Sequence, residues 1–143
     1  MKSRYLLDTN ILSEVLKPNP SKSIVENINI KNEELSTASI VLHEIAFGCW
    51  RLPENSKQRL NIQQYIDNVI LATLPIFDYN AEAAVWHSKQ RAKLTEQGKM
   101  PSFVDGQIAS IAYVNNFVLV TRNVKDFVVF NELVIENWFF VSD

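Results

Sequence analysis

The sequence predicts an α/β protein in which helices pack against a mainly parallel sheet. Short apolar runs alternate with longer segments of helical periodicity along the chain, as in proteins of this class. Two of the runs, residues 4–7 and 117–120, pass directly into short polar side chains, as strands do at the ligand-binding edge of an open α/β sheet. The predicted strands cover residues 4–7, 34–38, 74–77, 117–120 and 134–141. One predicted helix begins directly after residue 10. The other predicted helices cover residues 21–30, 39–52, 54–74, 80–97 and 103–112.

Length and composition indicate a single globular domain over residues 1–143. Of the 143 residues, 47% are hydrophobic and 21% are charged, which is enough for one sizeable core. The net charge of −2 gives no overall basic field, so any binding of nucleic acid must depend on local cations or bound metal. Cys49 is the only cysteine, which excludes an internal disulfide and a cysteine-based zinc site. Without a signal peptide or a membrane-spanning segment, we expect a cytoplasmic protein.

A polar triplet, Asp8-Thr9-Asn10, follows the first predicted strand and precedes a helical pattern. These side chains are common helix caps, because their oxygens accept hydrogen bonds from free N–H groups at a helix start. In an open α/β sheet the same position also faces the ligand-binding crevice. Asp8 is therefore a candidate both for capping and for a functional site.

Glu44 lies inside the predicted helix 39–52, which is apolar on nearly every side and is expected to be buried. A buried carboxylate needs a cation, a proton or an opening to water. The alternative role for Glu44 is a salt bridge with a distant lysine or arginine. Its neighbour His43 does not indicate a zinc protease, because a second histidine would be needed where Phe47 stands. His43 is expected to be structural or exposed.

Two more acids occupy comparable positions later in the chain. Ser102 is the predicted cap of the helix 103–112, and Asp105 falls in its first turn, where an acid also stabilises the helix dipole. Asp105 shares a face with Ile108 and Ala109, so we expect it at the inner rim of the fold. Asp126 lies in the polar segment 121–127, a predicted loop after the fourth strand.

Asp8, Glu44, Asp105 and Asp126 could meet at one edge of a helix-flanked parallel sheet. Clustered acids repel one another and either take up protons or bind a cation. Oxygen donors without cysteine or organised histidine favour Mg²⁺ or Mn²⁺ over zinc. Such a site can activate water and neutralise the charge of a phosphodiester.

Four segments, 6–10, 39–48, 105–109 and 120–127, resemble the successive motifs of the PIN domain, and in particular the VapC/FitB-like toxins of prokaryotic toxin–antitoxin systems. The resemblance covers nearly the whole chain in the correct order. It implies a three-layer fold with a five-stranded, mostly parallel sheet. It also implies an Mg²⁺-dependent endoribonuclease in which Mn²⁺ can substitute, and which a small antitoxin inhibits by placing its tail in the acidic crevice.

The resemblance also implies roles for individual residues. Asp8, Glu44 and Asp105 match the family's three core acids and are the expected metal ligands. Asp126 matches a fourth acid whose place varies among relatives. The remaining two matches, Asn10 and Thr121, are expected to support the site. The chain departs from the family pattern near its end, where residues 131–133 contain no glycine and Asn-Trp replaces Asn-Pro-Trp.

Other functions remain open at this point. A catalytically silent module that binds RNA or protein would have the same motifs. A receiver-type signalling domain would need adjacent acids after the first strand, an Asp after the middle strand and a lysine after the late strand. The segments Asp8-Thr9-Asn10 and Thr121-Arg122 do not fit this pattern. A homodimer is expected from the habit of related toxins and from many large apolar side chains: Phe47, Trp50, Trp86, Trp138, Phe139 and Phe140.

Overall fold

The computed structural model describes residues 2–140 and confirms the α/β class. Five strands form a sheet in the order β3-β2-β1-β4-β5, and every neighbouring pair is parallel. The strands are β1 (Tyr5–Leu7), β2 (Leu35–Ala38), β3 (Ile76–Phe77), β4 (Val118–Val120) and β5 (Ile135–Glu136). The three middle strands are almost entirely buried, so β1 and β4 are apolar without alternation, whereas the hydroxyls of Ser36 and Thr37 in β2 donate to backbone carbonyls of β1.

Helices cover both faces of the sheet. They are α1 (Thr9–Glu14), α2 (Lys22–Ile30), α3 (Ser39–Trp50), α4 (Lys57–Tyr65), α5 (Leu71–Thr73), α6 (Ala81–Glu96), α7 (Phe103–Val114) and α8 (Val124–Phe127). Connections between parallel strands are right-handed, so α1–α5 lie on one face and α6–α8 on the other. In residues 2–140, no helix is long and apolar enough to cross a bilayer.

The strand order reverses between β1 and β4, and this reversal positions the functional site. From β1 the chain first proceeds to β2 and β3 on one side, and later to β4 and β5 on the other. The backbone N–H of Asp8 donates to the carbonyl of Val120, which holds the two strand ends together. In open α/β sheets, ligands bind at such a reversal, beyond the carboxyl ends of the strands.

Several predicted helix ends are confirmed by their hydrogen bonds. The side chains of Ser21, Asn80 and Ser102 each accept a hydrogen bond from the backbone three residues later. Gly98 has a φ of 74°, a conformation that suits glycine and ends α6. Local chemistry therefore determines where these helices start and stop.

The expectation that the helix 39–52 is buried on all sides is wrong. Helix α3 ends at Trp50 and buries only Val41, Ile45 and Cys49, whereas Phe47 is 56% exposed and Trp50 is 51% exposed. The helix packs against the sheet and its neighbouring helices along one stripe, and nothing in residues 2–140 covers the opposite face. His43 is exposed, as expected, and stacks on Phe47.

Other boundaries also differ from the predictions. The helix expected over 54–74 begins at Lys57 and continues through a π-helical turn, Ile66–Ile70, into α5. The segment 121–127, predicted as a loop, contains α8. The last predicted strand, 134–141, is a strand only over Ile135–Glu136; residue 141 lies outside the described residues. The Asn137 side chain accepts a hydrogen bond from the N–H of Phe139 and turns the backbone away from the sheet.

Candidate active site

Asp8 lies at the carboxyl end of β1 and caps helix α1. One carboxylate oxygen accepts a hydrogen bond from the N–H of Thr9 at 2.8 Å, and the other accepts one from the hydroxyl of Thr121 at 2.8 Å. The residue is only 6% exposed. The capping role is therefore confirmed, and Asp8 also lies where the ends of β1 and β4 meet, which is the position expected for a functional residue.

Asn10 and Thr121 fix the orientation of Asp8. The Asn10 amide nitrogen lies 3.4 Å from an Asp8 oxygen and 3.4 Å from the Thr121 hydroxyl. The side-chain oxygen of Asn10 accepts a hydrogen bond from the backbone N–H of Arg122 at 2.9 Å. Thr121 in turn accepts one from the N–H of Asn123 at 3.1 Å. These bonds tie the ends of β1 and β4 together, which is the supporting position expected for both residues.

Glu44 lies near the middle of α3, half-buried, and contacts the same triplet. The hydroxyl of Thr9 donates to its carboxylate at 2.5 Å. Since the N–H of Thr9 donates to Asp8, this threonine links the two acids. Glu44 has no salt bridge within the described residues, so the alternative role as an ion-pair partner is not observed there.

Asp105 lies in the first turn of α7, where its backbone N–H donates to the Ser102 hydroxyl at 3.0 Å. It faces a cleft that Asp126, at the start of the short helix α8, also lines. Asp105 is half-buried, whereas Asp126 is exposed. Two of the four acids thus belong to the α1–α3 side of the site and two to the α7–α8 side.

Electrostatic effects show that Asp8 and two other acids share one environment. Burial raises the pKa of the Asp8 carboxyl above its usual value, although hydrogen bonds from Thr121 and Thr9 oppose this increase. The negative charges of Glu44 and Asp105 raise the pKa of Asp8 further. Its ionised form is therefore destabilised in the absence of a cation.

Asp105 has a similar electrostatic environment. Burial raises the pKa of Asp105, and the charges of Asp126 and Glu44 add to the increase, while a hydrogen bond from Ser102 lowers it. Because Asp8 and Asp105 both respond to Glu44, the acids from the two sides of the site act on one another. A cation between them would relieve this repulsion.

The acids fit a hard divalent cation in chemistry but do not form a closed cage. Among residues 2–140, no three carboxylate, imidazole or thiol groups are close enough together to enclose a metal ion. Mg²⁺ does not require such a cage, because it keeps several waters and is commonly held by one or two carboxylates together with substrate phosphates. The available donors are all carboxylate oxygens, as Mg²⁺ and Mn²⁺ prefer.

An apolar groove of about 430 Å³ leads away from the site on the α1–α3 side. It opens beside Thr9 and Glu44 and runs between α1, α3 and α4. Most of its exposed surface is apolar and comes from aliphatic side chains such as Leu16, Ile45, Leu52 and Ile62, although polar residues also line it. Its surface suits an apolar segment of another polypeptide better than a charged ligand.

Sequence analysis missed two features that support the acids. Thr9 was recognised as a helix-start residue, but its bond to Glu44 joins residues 35 positions apart and has no local pattern. The second feature is the packing of buried His87 against Gly106, next to Asp105. A Cβ atom at Gly106 would overlap the imidazole of His87, so a larger residue would force this ring to move. The Tyr79 hydroxyl holds the opposite ring nitrogen at 2.9 Å.

Comparison with known proteins gives a consistent family assignment. The family model described as "PIN domain" matches residues 5–132. "Ribonuclease VapC2" of Rickettsia felis is 33% identical over 136 residues, which cover 94% of this chain and 97% of that protein. The "tRNA(fMet)-specific endonuclease VapC" of Shigella flexneri is 27% identical over 94% of this chain and 98% of that protein.

Solved structures show the same similarity. The DNA-bound VapBC complex of Salmonella typhimurium contains a chain with a TM-score of 0.82 and 28% identity, covering 95% of this chain and 98% of that one. The VapBC2 complex of Rickettsia felis, bound to a DNA fragment from its promoter, gives a TM-score of 0.78 and 27% identity. That match covers 94% of this chain and 98% of the other.

Proposed function

Because this chain belongs to the PIN domain family, we propose that it is a metal-dependent endoribonuclease that acts as the toxin of a toxin–antitoxin pair. The observation that supports this function best is the convergence of acids from distant parts of the chain at the β1–β4 reversal. Asp8 and Glu44 are bridged by Thr9, and the charges of Glu44 and Asp105 act on Asp8. The curated relatives named as ribonucleases make RNA the natural substrate.

The chain's own residues perform three tasks in this proposal. Asp8 and Asp105, with Glu44 and Asp126 beside them, would hold Mg²⁺ or Mn²⁺, which supplies charge neutralisation at the phosphate and lowers the pKa of water. Asn10 and Thr121 keep the Asp8 carboxylate in one orientation. Burial of Asp8 excludes bulk water from one side of the acids and strengthens their interaction with a cation.

The direct test is cleavage of RNA by the Asp8→Asn variant. This change keeps the side-chain size but removes the charge, so we expect RNA cleavage with Mg²⁺ to fall to background. Asp67→Asn is the matched control, because Asp67 is exposed and lies far along the chain in the π-helical turn. Equal activity of the Asp8→Asn variant and the wild type would refute the proposal. Cleaved ends should carry a 5′-phosphate and a 3′-hydroxyl.

Metal dependence has its own readout. Addition of EDTA should stop cleavage, and Mg²⁺ or Mn²⁺ should restore it. Binding of Mn²⁺ can be measured directly by its paramagnetic resonance signal, which does not depend on activity. Wild-type protein should bind Mn²⁺, and Asp8→Asn should bind it at least about ten-fold more weakly. Unchanged Mn²⁺ binding would exclude Asp8 as a ligand.

The proposed antitoxin would bind along the apolar groove. One end of this groove lies at Glu44, beside the other acids. The rest of the groove provides an aliphatic surface on which an apolar segment can pack. A basic residue of the antitoxin tail could then reach the carboxylates. The solved relatives include VapBC toxin–antitoxin complexes, which supports a partner of this type.

A homodimer remains part of the proposal. Phe47 and Trp50 are exposed on α3, and each lies beneath an arginine guanidinium, Arg51 at 5.4 Å and Arg59 at 5.0 Å from the ring centroid. In contrast, Trp138 is only 4% exposed and belongs to the core, so it cannot contribute. Light scattering at micromolar concentration should give twice the monomer mass, and a monomer mass would refute the dimer.

A further inference from the structure

The α7–α8 side of the acids contains a second opening, which we call the cationic cleft after the two lysines that line it. It has a volume of about 490 Å³ and lies between the α6–α7 loop and α8. Lys99 and Lys125 line it together with Asp105 and Asp126. Two lysines thus stand beside two acids, and the formal charges of these four residues cancel. A phosphate can approach here without facing an excess of negative charge.

The lysines of the cleft are available for a ligand. Lys99 and Lys125 are both exposed, and neither forms an ion pair with any described residue. The apolar groove differs in this respect, because the lysine that lines it, Lys17, is paired with Glu14 at 2.9 Å. Of the two openings, the cleft is therefore the one that offers free positive charge next to the acids.

A half-exposed aromatic side chain lies in the first turn of α7, on the side of that helix that faces α6, and does not itself line the cleft. Phe103, two residues before Asp105, is 50% exposed although it is the first residue of a core-packed helix. Its ring packs on His87 with a centroid distance of 4.8 Å, and the Arg91 guanidinium lies 5.3 Å from its centroid. Exposed aromatic rings and arginine planes are the groups on which unpaired nucleic-acid bases stack.

We propose that the cationic cleft binds a single strand of RNA across the acids. Lys99 and Lys125 contact successive phosphates in the cleft, and an unpaired base that leaves it stacks on Phe103 and Arg91 at the α6-facing side of α7. This inference rests on the proposed function, and it adds the path of the strand. RNA then leaves the acids toward α7 and α8, and the apolar groove between α1, α3 and α4 remains free of it.

The test measures RNA binding separately from cleavage. The probe is a fluorescently labelled, unstructured oligouridine, and binding is followed by anisotropy at several salt concentrations in the Asp8→Asn background, where RNA should stay intact. Removal of one phosphate contact from a single strand lowers the salt slope by about 0.7, which corresponds to about four-fold weaker binding at about 0.15 M salt. Lys99→Gln and Lys125→Gln should each show this loss.

Two further variants complete the experiment. Phe103→Leu retains an apolar contact with His87 but removes the ring, so binding should weaken at least about five-fold while the salt slope stays unchanged. Lys2→Gln is the matched control, since Lys2 precedes β1 and lies at the opposite end of the sheet from Asp8. It should bind RNA as the parent does.

The outcomes separate the two proposals. Lysine variants that bind with the parental salt slope, like Lys2→Gln, would overturn the inference even if the wild type cuts RNA. Conversely, if the lysine and Phe103 variants lose binding as expected but the wild type cuts no RNA with any divalent metal, the cleft is an RNA-binding site and the nuclease function is refuted.

Discussion

The two openings beside the acids differ in composition, and the difference follows from the helices that form them. The apolar groove lies among α1, α3 and α4, whose aliphatic side chains have no further layer to cover them. The cationic cleft lies beside a loop and the short helix α8, where lysines reach solvent freely. One side thus suits a protein segment, and the other suits a polyanion.

This contrast explains how an acidic chain can act on RNA. With a net charge of −2, the protein has no general attraction for a polyanion, so local cations or bound metal must provide it. Those in the cleft stand next to Asp105 and Asp126, at the point where a phosphate is needed. An inhibitor bound in the groove would reach the same acids from the opposite direction. It would block the reaction at the acids without entering the cationic cleft.

The largest expected effect distinguishes the acids on the two sides. Glu44→Gln should reduce RNA cleavage at least about 100-fold, because a half-buried carboxylate that Thr9 links to Asp8 contributes several kcal/mol to charge neutralisation. Asp126→Asn should cost only about ten-fold, since this acid is exposed and acts at the edge of the site. The measurement is the RNA cleavage rate of each variant at saturating Mg²⁺. Equal losses would show that the two sides contribute equally.

The next effect concerns the packing of Gly106 against His87, which positions the first turn of α7 at the cleft. Gly106→Ala would place a methyl group against His87 and should destabilise the protein by about 2 kcal/mol. It should also weaken RNA cleavage, because the first turn of α7 carries Asp105 and Phe103. Urea unfolding measures the stability change.

Combination with His87→Ala makes room for the added methyl group. The double variant should therefore lose less stability than the sum of the two single variants. Strict additivity would contradict the packing described for His87 and Gly106.

A smaller effect is expected from filling the groove. Gly48 lines it, and no atom lies within 4 Å of a Cβ built at this position. Gly48→Phe should therefore fold normally, weaken antitoxin binding at least about ten-fold and leave RNA binding unchanged. Co-purification with the antitoxin and oligouridine anisotropy measure the two effects. Gly48→Ala, which should stabilise α3 by about 0.5–1 kcal/mol, is the control for the helix itself. Loss of RNA binding in Gly48→Phe would show that the two openings are not independent.

The smallest effect is the pH dependence of stability without metal. The pKa of Asp8 and of Asp105 is raised by folding, so the folded state holds protons more tightly than the unfolded chain. Stability should fall as pH rises from the unfolded pKa near 4 through the raised values. Asp105→Asn should reduce this fall and raise the melting temperature in EDTA at pH 7 by a few degrees. A steeper pH dependence in the variant would contradict the assigned repulsion.

Much of the fold and the site could be predicted from local patterns. Ser21, Asn80 and Ser102 are caps because a hydroxyl or amide oxygen satisfies N–H groups within one helical turn. Asp8 follows an apolar run, and that order of residues is enough to place it at a strand end. The convergence of Asp8 with Thr121 followed from the parallel sheet, since both end buried strands.

Other features had no local signal. The pattern of α3 indicated burial on every side, because hydrophobicity does not reveal which neighbours are available, and Phe47 and Trp50 are in fact exposed. The contact of His87 with Gly106 joins α6 to α7, and nothing near either residue in the sequence indicates it.

By itself, the sequence determined the α/β class, the order of its elements and the acids at their ends, because helix periodicity, capping and buried strands depend on residues within a few positions of one another. The tertiary structure alone decided which acids act on one another, which face of α3 stays exposed, and which side of the site offers free lysines. These properties depend on distances between residues separated by dozens of positions. Such distances are set by the topology of the folded sheet, in which the strand order reverses between β1 and β4.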